Sequence, residues 1–232
     1  MLCNALHFLR ELSAHNDREW FQDNKSLYQA AQGEFEHFVS GLLSGISVFD
    51  PQVRALTARD CIFRIYRDIR FSPDKRPYKT HMGAYVAMRG GRKSIYCGYY
   101  FHLEPENSGF MGKSFCSGGL YWPEPPLLKA VRQDIMDYTE EFKAHITHPR
   151  FVELFGSLQG PVLKATPRGF PKDFPDRELL RYRHYVYMHT LSPERVCGDG
   201  LLEYVLPVME AMKPCNDFLN RAIAWSEENG HD

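Results

Sequence analysis

The chain has 232 residues, 44% of them hydrophobic and 25% charged, which excludes wholesale disorder and a membrane protein and allows one sizeable core. A net charge of -1 and a pI near 6.8 exclude nucleic-acid binding by overall charge, while leaving room for a local patch. Six scattered cysteines, none at the two-residue spacing of zinc or redox motifs, read as reduced thiols.

Met1 to Trp20 interrupts its apolar positions with Asn4, His7, Arg10 and Glu11, so it lacks the continuous apolar core of a signal peptide. No segment approaches the length needed to span a bilayer, and a cytoplasmic protein without membrane association is the expectation. Leu6, Leu9 and Leu12 predict a first helix, with a polar break at Asn16 and Asp17. Phe35, Phe38, Val39, Leu42, Leu43 and Ile46 recur at helical intervals and predict a helix over 34–46, closed by Asp50 and Pro51.

From Cys61 the period drops to two. Phe63, Ile65, Ile69 and Phe71 alternate with Arg64, Tyr66, Asp68 and Arg70, which predicts a strand with one wet face. Arg67 falls on the apolar side and requires a strand end, a bulge or a carboxylate there. Ser72, Pro73, Asp74 and Lys75 predict a type I turn. A second strand follows over 78–88, then a glycine loop from Arg89 to Lys93. The third, over 94–104, turns Ile95, Cys97, Tyr99, Phe101 and Leu103 inward and Tyr96, Tyr100, His102 and Glu104 outward. Residues 104–119, rich in glycine and serine, read as loop or a short edge strand.

Pro125 and Pro126 open a helix whose stripe continues to Ile146. Further helices are predicted over 176–188 and 201–225, the last interrupted at Pro207 or Pro214. Helices, a meander and more helices predict an α+β fold: a central antiparallel sheet of about four to six strands, flanked by N-terminal and C-terminal helices, in a single domain over 1–232.

The most site-like stretch is the hairpin from Arg64 to His81. Arg64, Arg67, Arg70, Lys75, Arg76 and Lys79 stand against Asp68 and Asp74, so this segment carries +4 and the remainder -5. Guanidinium groups along one strand face suit a phosphate or carboxylate, because each offers two parallel N–H donors. Arg64, Arg67, Arg70, Lys75 and Lys79 are the candidate ligand-binding residues, joined by Tyr100 and Glu104 from the third strand and by Lys164 and Arg168 as a basic lid. Asp68, His81 and His102 are the candidates for proton transfer. The two histidines lack the spacing of a ligand motif, so no metal site is expected. Ser117, Gly118 and Gly119 read as a tight turn in preference to a phosphate loop.

The run Phe63-Arg64-Ile65-Tyr66-Arg67-Asp68-Ile69-Arg70-Phe71-Ser72-Pro73-Asp74-Lys75-Arg76-Pro77-Tyr78-Lys79-Thr80 resembles the uncharacterised family catalogued as domain of unknown function 2461. Further stretches resemble it as well: Asn16-Asp17-Arg18-Glu19-Trp20-Phe21, His102-Leu103-Glu104-Pro105, Gly118-Gly119-Leu120-Tyr121-Trp122-Pro123 and Pro167-Arg168-Gly169-Phe170. Phe174 and Arg183 depart from the histidine and lysine common in that family. The resemblance implies one domain and brings no activity or cofactor with it.

The expectation is therefore binding of, or catalysis on, a phosphorylated or carboxylated small molecule at the basic hairpin. Two alternatives stand beside it. One is a nucleic-acid module using the same patch with Tyr78, Tyr85, Arg89, Arg92 and Lys93; the other is a non-catalytic interaction protein whose charges form a structural ion-pair network. The sequence specifies no reaction, cofactor or oligomeric state.

Overall fold

A computed structural model describes residues 1–229. Helix α1 (Cys3–Ala14) buries Leu6, Leu9 and Leu12, and α2 (Arg18–Asp23) starts at Asp17, whose carboxylate accepts the Trp20 N–H at 2.9 Å. Helix α3 (Lys25–Phe49) begins earlier than the hydrophobic stripe suggests, because its first two turns are polar and solvated. Its buried face, Phe35, Phe38, Leu42 and Ile46 among others, meets the sheet, with Phe38 4.6 Å from Phe101. Helix α4 (Ala58–Cys61) ends where a strand was expected.

The period-two stretch after Cys61 is not a strand. It runs extended, touching the sheet edge at Ile62 opposite Ala84 and itself at Tyr66 opposite Tyr78. Two features prevent a ladder. Asp68 and Asp74 turn back to accept the N–H groups of Arg70 at 3.3 Å and Arg76 at 3.1 Å, while Pro73 and Pro77 have no N–H to give. Phe71, expected on the apolar face, is 95% exposed as a result.

Strands β1 (Met82–Val86), β2 (Gly98–Leu103), β3 (Ser114–Leu120) and β4 (Tyr185–Leu191) form one antiparallel sheet in that order. The α+β reading holds, with four strands. Two placements within it are corrected. Residues 114–120 are an interior strand, and their glycines permit close approach: a Cβ on Gly118 would lie 2.7 Å from the Tyr187 ring, and one on Gly119 would collide with the Tyr185 carbonyl. The predicted helix over 176–188 is only α8 (Arg177–Leu180); tertiary pairing with β3 turns the aromatic-rich residues after it into β4. Ile95 and Tyr96 also exchange roles, since β2 starts only at Gly98 and leaves Ile95 exposed and Tyr96 buried.

The crossing from β3 to β4 carries α5 (Pro125–Asp137), α6 (Thr139–Ile146) and α7 (Pro149–Phe155) before α8. Helices α9 (Pro193–Cys197), α10 (Leu201–Glu210) and α11 (Lys213–Asn229) complete the chain, and the tail breaks ahead of Pro214 while Pro207 stays within α10. The helices reach the sheet through one face, that of Tyr99, Phe101, Tyr187 and His189. One contiguous core runs from Leu2 to Ile223. Cys3 and Cys197 are joined as a disulfide with Cα atoms 4.7 Å apart, which corrects the reading of six reduced thiols. Cys61, Cys97, Cys116 and Cys215 are free and buried. Among the described residues no helix is long and apolar enough to cross a membrane.

Candidate functional site

The basic hairpin separates its cations into two groups. Toward its tip, Arg67 meets Asp74 at 2.7 Å and also reaches Ser72 Oγ and the Arg76 carbonyl. Asp74 is shared with Arg76, whose hydrogen bonds, with burial opposing, hold its carboxyl below the usual range. Arg70 grips Asp68 through two bonds of 3.0 and 2.7 Å, and Lys75 caps the Ile69 carbonyl at 3.1 Å. These four cations are spent within the hairpin itself. Asp68 is held below its ordinary pKa by the Arg70 hydrogen bonds, which fits an ion-pair partner better than a proton donor.

Arg64 and Lys79 belong to the other group. Together they line an open groove of about 580 Å³ between α3, α4, the hairpin and the loop after β1. Arg59, Arg92 and Lys93 line it too, against one acid, Glu36, which pairs with Arg59 at 3.4 Å. Neither Arg64 nor Lys79 forms an ion pair among the described residues. The Lys79 ammonium sits 5.6 Å from the Phe63 ring centre, and burial, followed by the Arg64 charge, pushes its pKa down. Lys79, partly buried beside the like charge of exposed Arg64 and in no ion pair among the described residues, gains from an anion that joins the two. Tyr28, Phe35, Phe63 and Tyr66 supply apolar walls, and the volume lies within the range of small-molecule sites, about 300–1,000 Å³.

A second cluster lies behind Phe63, on the sheet. Tyr100 O–H donates to His102 Nδ1 at 2.9 Å, and His102 Nε2–H donates to Glu104 at 2.8 Å. Glu104 also accepts from Ser108 Oγ and from the N–H groups of Phe110 at 3.1 Å and Met111 at 2.9 Å. Burial alone would raise its pKa, yet the hydrogen bonds from His102, Ser108 and the backbone outweigh it and hold the carboxyl near 2. His102 and Glu104 were expected on a wet face. Both are buried, because the loop over 108–111 folds across them and Phe110 closes over His81. With both nitrogens engaged, His102 touches no ligand directly.

His81 stacks 4.6 Å from His102 and 4.6 Å from Phe110, and its buried Nδ1 has no hydrogen-bond partner among the described residues. Burial first, then the neighbouring His102 ring and the Lys79 and Arg67 charges, push its pKa down to about 3, against an opposing pull from Glu104. It is a neutral imidazole at ordinary pH. Lys164 and Arg168 are exposed on the loop that pairs with the β4 edge, through Gln159 and Val162. The hairpin occupies the β1 edge, so these two residues do not cover it. Ser117 to Gly119, expected as a tight turn, lie within β3, and Gly119 N–H is taken by Asn216 at 2.9 Å, which leaves no anion loop there. Among the described residues no cluster of metal-ligating side chains exists. Arg59, Gln32 and Tyr28 entered the groove without any local sequence signal; only the packing of α3 and α4 brings them there.

The fold and groove define an α+β protein with one antiparallel sheet, helices on one side, and a cation-lined cleft at the sheet edge. The family model described as conserved hypothetical protein (DUF2461) matches residues 4–218, and the chain belongs to that family. No curated protein and no solved structure matches the chain.

Proposed function

We propose that the protein binds a phosphorylated or carboxylated small molecule in the groove at the β1 edge. The observation that carries this reading is the juxtaposition of Arg64 and Lys79, two cations facing one cleft, neither in an ion pair among the described residues. Arg92 and Lys93 extend the positive wall, and Phe63 and Tyr66 take the less polar part of the ligand. Arg67, Arg70 and Lys75, neutralised or capped within the hairpin, shape the wall and do not hold the ligand. Action in the cytoplasm is part of the proposal; the four free thiols fit a reducing compartment, and the Cys3–Cys197 disulfide weighs against one.

Thermal-shift measurements with a panel of phosphorylated and carboxylated small molecules test it. At least one compound raises the Tm of the native chain and of Arg70→Ala, and fails to do so for Arg64→Ala combined with Lys79→Ala. Equal shifts in all three proteins, or no shift with any compound, reject the groove.

A further inference from the structure

The sheet has a second face, which the helices do not cover. Register places Tyr85, Tyr100, Ser117 and Met188 side by side across β1 to β4 on the side opposite Phe101 and Tyr187. Among the described residues no helix side chain makes a ring or hydrogen-bond contact with these four. The 108–111 loop and His81 close one end of this face over His102. At the other end the face is open and aromatic. Tyr121 and Trp122, 73% and 67% exposed, rest on the His184 ring at 5.2 and 4.9 Å. Tyr121 also lies near enough to Tyr100 to help raise its hydroxyl pKa, after burial and Glu104. Trp122 holds a φ of 50°, a left-handed conformation that costs free energy for a bulky residue and is concentrated at functional sites.

Charge is distributed to match. The one carboxylate on this face among the described residues near Tyr100 is Glu104, which is buried under the 108–111 loop and bonded to His102. On the β1 margin stand Lys79, above the Phe63 ring that packs edge-on against Tyr100, and its neighbour Arg64. On the β4 margin stands Arg183, exposed, beside His184, and without an ion pair among the described residues. The two exposed rings, Tyr121 and Trp122, with cations on both margins, suit a ligand with flat faces inside and negative charge outside.

We propose that this open sheet face binds single-stranded nucleic acid, with bases stacked on Trp122 and Tyr121 and phosphates meeting Lys79 and Arg64 on one margin and Arg183 on the other. The two exposed rings take one base each. A duplex is excluded by the same geometry, because its bases already stack on one another and present no π-face to the platform. The site goes beyond the small-molecule groove and does not rest on the groove being occupied.

Fluorescence anisotropy tests it, with end-labelled mixed-sequence DNA and RNA strands of about twelve nucleotides and a hairpin duplex, at about 50 mM salt and above. Expected is binding of the single strands, at least about ten-fold weaker binding of the duplex, and weakening as salt rises. Trp122→Asn, an exposed change to a residue that accepts positive φ, combined with Tyr121→Ser, lowers single-strand affinity by at least about ten-fold while leaving Tm unchanged. Absence of binding at low salt, equal binding of duplex, or undiminished binding by the double variant overturns the proposal. The groove is judged separately, since its thermal shifts with small anions persist in the Trp122 and Tyr121 variant whether or not oligonucleotides bind.

Discussion

Glu104 is an ionised carboxylate with no exposed surface, kept charged by His102 and the loop donors around it. Because its folded pKa lies below the ordinary 4.5, its contribution is complete above that value and is lost as pH falls toward about 2. His81 acts in the same direction over a higher window: its folded pKa is lowered, so the unfolded chain takes the proton first, and stability falls from pH 6.5 toward about 3. Each titration contributes a slope of up to about 1.4 kcal/mol per pH unit within its window. Urea unfolding followed across pH checks this, with His81→Phe flattening the upper window and Glu104→Gln the lower. His81→Phe also removes the unpartnered Nδ1, so its stability at pH 7 is expected to equal or exceed that of the native chain. Sequence alternation singled out His81, His102 and Glu104 as a group, yet it placed the last two in water. No local pattern announces that the loop a few residues on, over 108–111, will cover them.

Among the elements, α11 is tied to the sheet by the buried side chain of Asn216, beside Asn220, which holds the Cys97 backbone at the start of β2. Asn216 accepts from Gly119 N–H at 2.9 Å and from the Tyr187 hydroxyl at 2.6 Å, and donates to the Gly98 carbonyl at 3.0 Å. Asn216→Ala leaves three buried polar groups without that partner and is expected to cost about 3 kcal/mol or more, read as a lower urea midpoint at constant slope. The tail helices, α3, β1 and β2 were legible because each has a clean period or a proline stop, whereas glycine-rich β3 read as loop or edge strand. Strand β4 was not, since Tyr185, Tyr187 and His189 acquire their face only by pairing with Leu120, Gly118 and Cys116. The hairpin failed for the opposite reason. Its alternation is real in the sequence, but Asp68 and Asp74 bond their own backbone and turn Arg67 and Arg70 into structure while Arg64 and Lys79 remain for the groove. At this scale Arg67→Met is expected to speed proteolysis within 66–78, and Arg64→Met to leave it unchanged, as read by limited digestion and mass analysis.

Across the whole molecule, the separation of two sheet faces organises everything else. Helices dry one side, and the other carries the relay, the loop over 108–111 and the open aromatic end. The disulfide from α1 to α9 closes a loop spanning 194 positions, and in the chain-entropy account such a link contributes about 4 kcal/mol or more by restricting the unfolded chain. Cys3→Ser with Cys197→Ser is expected to lower the urea midpoint, and a reducing agent to bring the native chain to the same value. The pairing was invisible in a list of spacings, because nothing local links the third residue to the one hundred and ninety-seventh. It has a further consequence for how the molecule wears. A protease that nicks the backbone once anywhere between those two residues does not release a fragment: the severed halves stay covalently together, travel as one species without thiol, and part only when thiol is added.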